Sequence, residues 1–246
     1  MRTRALKLFG LCAAWAVLAL AAVNSGQVGS AQVDCTVTVQ PGQSIQQAIN
    51  SAAEGAVICL STGTFQENIE IKKSLTLRGA GREQSQIKSK EEGKTVIAVA
   101  GDAEIRVALA GLTIAEARGF SYVYGGGIFI EGKTKAEIQD LQISGNLYGL
   151  VARDSAQVSL TNSQLSGNEY SGLIVAESAR VSLTNSRLSG NGFFGLVVVG
   201  SAQVSLADSQ VSENGFDGLF VQDSARVSLT NSRLSGNGFD GLVVTG

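Results

Sequence analysis

The chain has no histidine, no methionine beyond Met1 and a single tryptophan, Trp15, among 246 residues. Without imidazole, a histidine-driven catalytic triad or proton shuttle is excluded. A transition-metal centre is disfavoured too, because it needs imidazole, thiolate or thioether ligands. No Lys/Arg cluster occurs beyond the first few residues, so neither nucleic acid nor an anionic membrane is expected as a partner. A GxxxxGKS/T phosphate loop is missing, and neither an EF-hand nor a GGxGxD pattern marks a calcium site. No cofactor is expected on these grounds. Calcium held by carboxylates stays open, without a motif to support it.

The N-terminus has three zones. Arg2, Arg4 and Lys7 precede an uncharged apolar run over residues 8–23, and a small-residue stretch ends at Gly29-Ser30-Ala31. This order predicts a secretory signal peptide, 1–31, cleaved after Ala31. An uncleaved anchor is the alternative, although the run is short and alanine-rich for a membrane span. The predicted location is therefore secreted, periplasmic or cell-surface, with no membrane partner after cleavage. Residues 32–246 carry 16 basic and 21 acidic residues, a net charge of −5. Cys35 and Cys59 survive cleavage, and an isolated pair in an exported protein predicts a disulfide. Two free buried thiols are the alternative.

Self-similarity decides the architecture. Residues 155–177, 178–200, 201–223 and 224–246 are successive 23-residue copies, and the second and fourth differ at two positions only. Within a copy the apolar residues alternate, as strands do. Val181 and Leu183 are expected inside with Leu188, Leu196 and Val198, and Arg180, Ser182 and Arg187 outside. Three short strands and three corners per copy cannot enclose a core alone, but stacked copies can. The expected fold is all-β, a right-handed parallel β-helix with three strands per coil. Upstream first strands at Val57–Leu60, Ser74–Leu77, Ile105–Leu109 and Ala136–Ile138 bring the count to about eight coils.

Columns recur along the stack. Asp140, Asn162, Asn185, Asp208 and Asn231 share one corner, and Asn146, Asn168, Asn191, Asn214 and Asn237 share the next. Asn suits left-handed backbone and amide stacking, so both columns are read that way. Gly149, Gly172, Gly195, Gly218 and Gly241 mark backbone freedom or close approach. Tyr170, Phe193, Phe216 and Phe239 are expected as an internal aromatic stack. One outward column alternates Gln157, Arg180, Gln203 and Arg226, which avoids stacking like charges directly. Ser44 followed by Gln47 predicts a capped helix whose Ile45, Ala48, Ile49 and Ala52 plug the N-terminal end of the solenoid. The domain plan is signal peptide 1–31, cap strand and helix 32–54, and β-helix 55–246. At the other end Leu229, Leu242 and Val244 would lie on an uncovered coil. End-to-end self-association is expected there, with a tolerated sticky edge or a longer parent chain as alternatives.

Residues 41–81, PGQSIQQAINSAAEGAVICLSTGTFQENIEIKKSLTLRGAG, resemble the N-terminal module of the pectin-lyase-like superfamily. The later SGN and GL motifs resemble those of exported proteins with NosD-type or "right handed beta helix" repeats, and pectinesterases are more distantly similar. Gly63-Thr64-Phe65-Gln66-Glu67 matches the pectinesterase G-x-(Y/F)-x-E element. That family's QAVAL-like, DFIFG-like and RPW elements do not follow, so Glu67 is read as scaffold. The resemblance also implies that lyase chemistry would use acidic groups and an Arg or Lys base on the outer face. There the alternation turns Glu104, Arg106 and Glu137 outward as candidate catalytic residues. About six extra residues between Ala117 and Gly127 interrupt the rhythm, and Phe120, Tyr122 and Tyr124 in that insertion are candidate ligand-binding residues. The expected function is a non-catalytic exported solenoid with polysaccharide as partner. A polysaccharide-active enzyme, lyase or esterase-like, is the alternative.

Overall fold

A three-residue strand buries too little to stand alone, so each coil depends on the coil before it and the coil after it. The computed structural model describes residues 34–101, 103–118 and 126–246. The signal-peptide residues and Phe120, Tyr122 and Tyr124 lie outside the described residues. A first strand, β1 (Val37–Val39), precedes helix α1 (Ile45–Ser51). The first full coil follows as β2 (Val57–Leu60), β3 (Gly63–Gln66) and β4 (Ile69–Ile71). Its strands head three parallel sheets, here A, B and C. Sheet A holds nine strands, because β1 adds a rung ahead of β2, and sheets B and C hold eight each. The result is a right-handed parallel β-solenoid of eight complete coils on a ninth partial one.

The register is continuous. Val181 lies between Val158 and Val204, and Leu183 between Leu160 and Leu206. Leu183, Leu188, Leu196 and Val198 are wholly buried and Val181 nearly so. Burying each such side chain contributes roughly 1.5–3 kcal/mol. Arg180 and Arg187 are exposed as expected, while Ser182 is half-buried.

The two polar corners work differently. Asp140, Asn162, Asn185, Asp208 and Asn231 have φ between 49° and 53°, the left-handed corner the sequence predicts. The Asn146 column does not share that conformation. There the left-handed residue is the one before it, such as Gly145, Gly167 and Gly190 with φ of 67°, 62° and 64°. This frees the asparagines to point inward as a buried amide ladder. Asn168 Nδ2 donates to Asn191 Oδ1 at 2.9 Å, and Asn191 Nδ2 to Asn214 Oδ1 at 2.9 Å. Each amide also donates to a backbone carbonyl, Asn191 to that of Leu165. The buried side-chain amides of Asn168 and Asn191 thereby have partners for their donors, as burial requires. The adjacent glycines are there for close approach, since a Cβ on Gly149 would sit 2.3 Å from the Gly172 carbonyl oxygen.

At the N-terminal end Ile45 and Ile49 of α1 are buried in the core, with Ala48 and Ala52 packed against it. Ser44 Oγ accepts from the Gln47 N–H at 3.1 Å. Glu67 completes the cap: its carboxylate accepts from Ser44 Oγ at 2.6 Å, Ile45 N at 2.7 Å and Gln46 N at 3.1 Å. An anion at a helix N-terminus also opposes the helix dipole. Cys35 is bonded to Cys59 of β2, with Cα atoms 5.7 Å apart, so the expected disulfide pins β1 to the first coil.

Candidate functional site

The structure brings together only part of the predicted acid–base cluster. Glu104 lies 3.6 Å from Arg106 and 2.8 Å from Lys135, which is Arg106's neighbour on the next rung. Glu137 sits apart, paired in register with Ala108. The hydrogen bond and charge of Lys135, then Arg106, hold the Glu104 carboxyl below its ordinary value. It is therefore a carboxylate at neutral pH, in no position to donate a proton. The group is also solvent-exposed, and such ion pairs contribute little.

A more enclosed place lies on the outer face of sheet C beside α1, a depression of about 1130 Å³. Its floor is the outward column of the first three sheet C rungs, Glu70, Ala98 and Phe129, which face one another in register. One wall is α1 with Gln46 and Asn50, and the other is the segment 91–95. Asn68 secures that second wall. Its Nδ2 donates to Ser89 Oγ and to the Thr95 carbonyl at 2.8 Å each, and its Oδ1 accepts from the Lys90 and Glu91 N–H groups at 3.0 Å each. At the far end the Arg153 guanidinium lies 5.0 Å over the Phe129 ring and donates to Glu131 at 2.6 Å. Glu91 and Glu131 thus line the depression with Lys72, Lys73 and Lys94, around the Glu70 carboxylate of the floor.

Beyond the depression the outward column of sheet C continues as Val151, Ile174, Val197, Phe220 and Val243. Outward positions of the other two sheets are largely polar. The sequence carries a signal for this difference, because residues 196–198 and their equivalents are apolar at all three positions where a half-buried strand would alternate. The aromatic column flanks the same face and is not internal. Phe193 and Phe216 are 38% and 39% exposed, and Phe239 is 68% exposed. Tyr170, Phe193 and Phe216 stack with centroids 5.0 and 5.1 Å apart and planes within 11°. The rings look outward because the glycines beside them and the asparagine ladder fill the interior at that corner. Phe194 links this ladder to the apolar column, 6.0 Å from Phe216 and 5.3 Å from Phe220.

At the corner leading from sheet C to sheet A, two carboxylic acids meet that are a full copy apart in sequence. Glu177 Oε2 accepts from the Asp154 N–H at 3.1 Å, and Asp154 Oδ2 accepts from the Gly132 N–H at 3.0 Å. The hydrogen bond between the two side chains raises the Glu177 carboxyl and lowers that of Asp154. Opposed shifts in a pair are how one carboxyl keeps a proton while the other gives it up. Among the described residues no group of three or more His, Cys, Asp or Glu is placed to hold a metal ion.

Three stacked parallel sheets, a left-handed corner column and a buried asparagine ladder define a right-handed parallel β-helix, here with a depression on one outer face. The "Right handed beta helix region" family model matches residues 99–246, more than half of the chain, and the chain belongs to that family. Solved structures share the fold at low identity. The mannuronan C-5 epimerase A-module from Azotobacter vinelandii superposes with a TM-score of 0.64 at 19% identity, covering 81% of this chain and 67% of that one. The pectate lyase Pel9A gives 0.67 at 14% identity, covering 87% and 69%. The Dettilon tailspike protein gives 0.64 at 14% identity, covering 84% and 46%. No curated protein sequence matches the chain.

Proposed function

We propose that the chain is an exported polysaccharide-binding solenoid that holds its ligand on the outer face of sheet C without cleaving it. The observation that carries this reading is the open depression continuing into an apolar column with exposed aromatics beside it. Sugar rings present apolar C–H faces and a rim of hydroxyls, which suits the half-buried apolar column of Val151, Ile174, Val197 and Phe220 beyond the mixed-charge walls. Similar folds that act on mannuronan and pectate support the ligand class. The test is a glycan panel scored for both binding and product. Retention of at least one glycan with no new chain ends is expected, and cleavage or epimerisation would move the reading to an enzyme. Export is part of the proposal: protein recovered from outside the cytoplasm should begin at Gln32.

The enzymatic reading is favoured by one specific observation, the meeting of the Asp154 and Glu177 carboxyl groups near the depression's Glu131–Arg153 end. It predicts that Glu177→Ala abolishes product formation and leaves binding intact. Glu104, Arg106, Glu137 and the segment containing Phe120, Tyr122 and Tyr124 enter the same mutational series.

A further inference from the structure

Sheet A, on a different side of the solenoid, carries a second surface that the sheet C reading does not use. Its outer face forms a shallow trough of about 550 Å³ running along the stack from Lys135 to Ser228. One outward column there reads Arg106, Lys135, Gln157, Arg180, Gln203, Arg226, each in register with the next. The column beside it is Glu137 and then Ser159, Ser182, Ser205 and Ser228. From Gln157 onward these two columns contain no acidic residue and no aromatic ring. The chain as a whole has more acids than bases, so this is a cationic strip on an anionic protein.

The charges on the strip are not all equally available. Arg106 and Lys135 share one carboxylate, that of Glu104. Arg180 and Arg226 form no ion pair among the described residues, in contrast to Arg187 on sheet B, which has Glu213 at 3.9 Å. The acids nearest in sequence, three residues ahead, are already engaged. Glu177 is bonded to Asp154, and Asp223 Oδ2 accepts from the Gly200 N–H at 3.1 Å. The free guanidinium groups are therefore spaced two rungs apart, about 9.6 Å for strands about 4.8 Å apart. Between them stands the neutral amide of Gln203, and serine hydroxyls run alongside.

We infer that this trough binds a linear acidic polysaccharide lying along the solenoid axis. The ligand class rests on the polysaccharide reading above; the site does not. Guanidinium forks pair with carboxylates in two parallel hydrogen bonds, and the intervening amide and hydroxyl groups match sugar hydroxyls. A uronan with a two-fold twist turns every second carboxylate to the same side, so alternate sugars would meet arginine and the others glutamine. A single-stranded nucleic acid is a poorer match, because its usual aromatic stacking platforms are missing from this face. The sheet C depression differs in having apolar and aromatic floor residues and both signs of charge.

The repeats themselves supply the test, since the first and third copies already carry Gln where the second and fourth carry Arg. Arg180→Gln/Arg226→Gln should fold as wild type and lose affinity for polygalacturonate by about tenfold or more, two charge-assisted contacts being removed. Arg187→Gln/Arg233→Gln makes the same change in net charge on sheet B and should shift affinity by less than about twofold. Wild-type binding should weaken with salt, and a neutral glycan held on sheet C should be retained equally by both variants. Three results overturn the inference: no wild-type affinity for polygalacturonate, equal losses in both double variants, or an oligothymidylate bound as tightly in an Arg180-dependent way. Failure of the sheet C reading would show separately, as no glycan whose binding survives Arg180→Gln/Arg226→Gln.

Discussion

The four repeated coils over residues 155–246 and the irregular coils between Val57 and Gln139 use one architecture but satisfy their polar groups in different ways. In the repeated coils the same bond is made again at each step. Asn168 meets Asn191 as Asn191 meets Asn214, and the Ser163 N–H meets Ser186 Oγ as the Ser186 N–H meets Ser209 Oγ. In the early coils the partners differ from rung to rung: Glu67 caps α1, Asn68 holds the 89–95 segment, and Cys35 is tied to Cys59. A translational ladder produces flat, uniform faces. Departures from the repeat produce walls, and the depression beside α1 is found among them. The repeated half sets length and periodicity, while the irregular half sets local shape.

The comparison can be broken first in the core. Leu183→Ala removes a wholly buried side chain between two leucines of adjacent rungs and should cost about 2–5 kcal/mol. Leu77→Ala, in the same core column, should cost a similar amount, because the two halves share this layer whatever their surfaces do. Urea unfolding of both variants measures it. A large loss in one half and almost none in the other would show that the core is not continuous.

Removing the Cys35–Cys59 bond by Cys35→Ser/Cys59→Ser should cost about 3 kcal/mol for a loop of this size. Hydrogen exchange should rise in β1, α1 and β2 and stay unchanged in the repeated coils. Uniform loss of protection along the chain would contradict the division. A step smaller, Glu67→Ala strips three hydrogen bonds from the start of α1, and caps of this kind contribute about 1 kcal/mol. Its thermal midpoint should fall modestly, with the Ser44 and Ile45 amides exchanging faster. An unshifted midpoint and unchanged exchange would mean that the cap is redundant with Ser44.

How much of this could be read from the sequence follows from the same division. The inward column of Val181 and Leu183 and the left-handed corner at Asn185 are written four times, so periodicity exposes them directly. Asn191 was legible as a ladder member and misread in conformation, because Gly190 takes the left-handed geometry in its place. The aromatic column was legible as a stack but placed inside; nothing in its spacing says which side of the corner the rings leave from. The alternating Gln157, Arg180, Gln203 and Arg226 column is legible in the repeat, whereas the lack of an ion-pair partner for Arg180 and Arg226 among the described residues depends on contacts between coils. The depression and the Asp154–Glu177 pair depend on which single residues the stack brings together. Those contacts are set by coil lengths rather than by any motif.

The smallest effect concerns that pair. Glu177 titrates above its ordinary value, so its contribution to stability is fully present below the unfolded-chain value and is lost as pH rises through the folded one. Asp154 titrates below its ordinary value, so its contribution is present above the unfolded value and is lost as pH falls through the folded one. The two trends oppose each other across the carboxylate range, and both groups are well hydrated, so net stability should change little with pH there. Site-resolved titration by carboxyl-carbon NMR separates what stability cannot. Glu177→Gln keeps an N–H that can donate to the Asp154 carboxylate and should leave Asp154 depressed, whereas Glu177→Ala should let it return toward the ordinary value. If Asp154 titrates alike in wild type, Glu177→Gln and Glu177→Ala, the two acids do not share a proton. The corner would then be one more exposed turn of the repeat, and the single observation favouring catalysis would be gone.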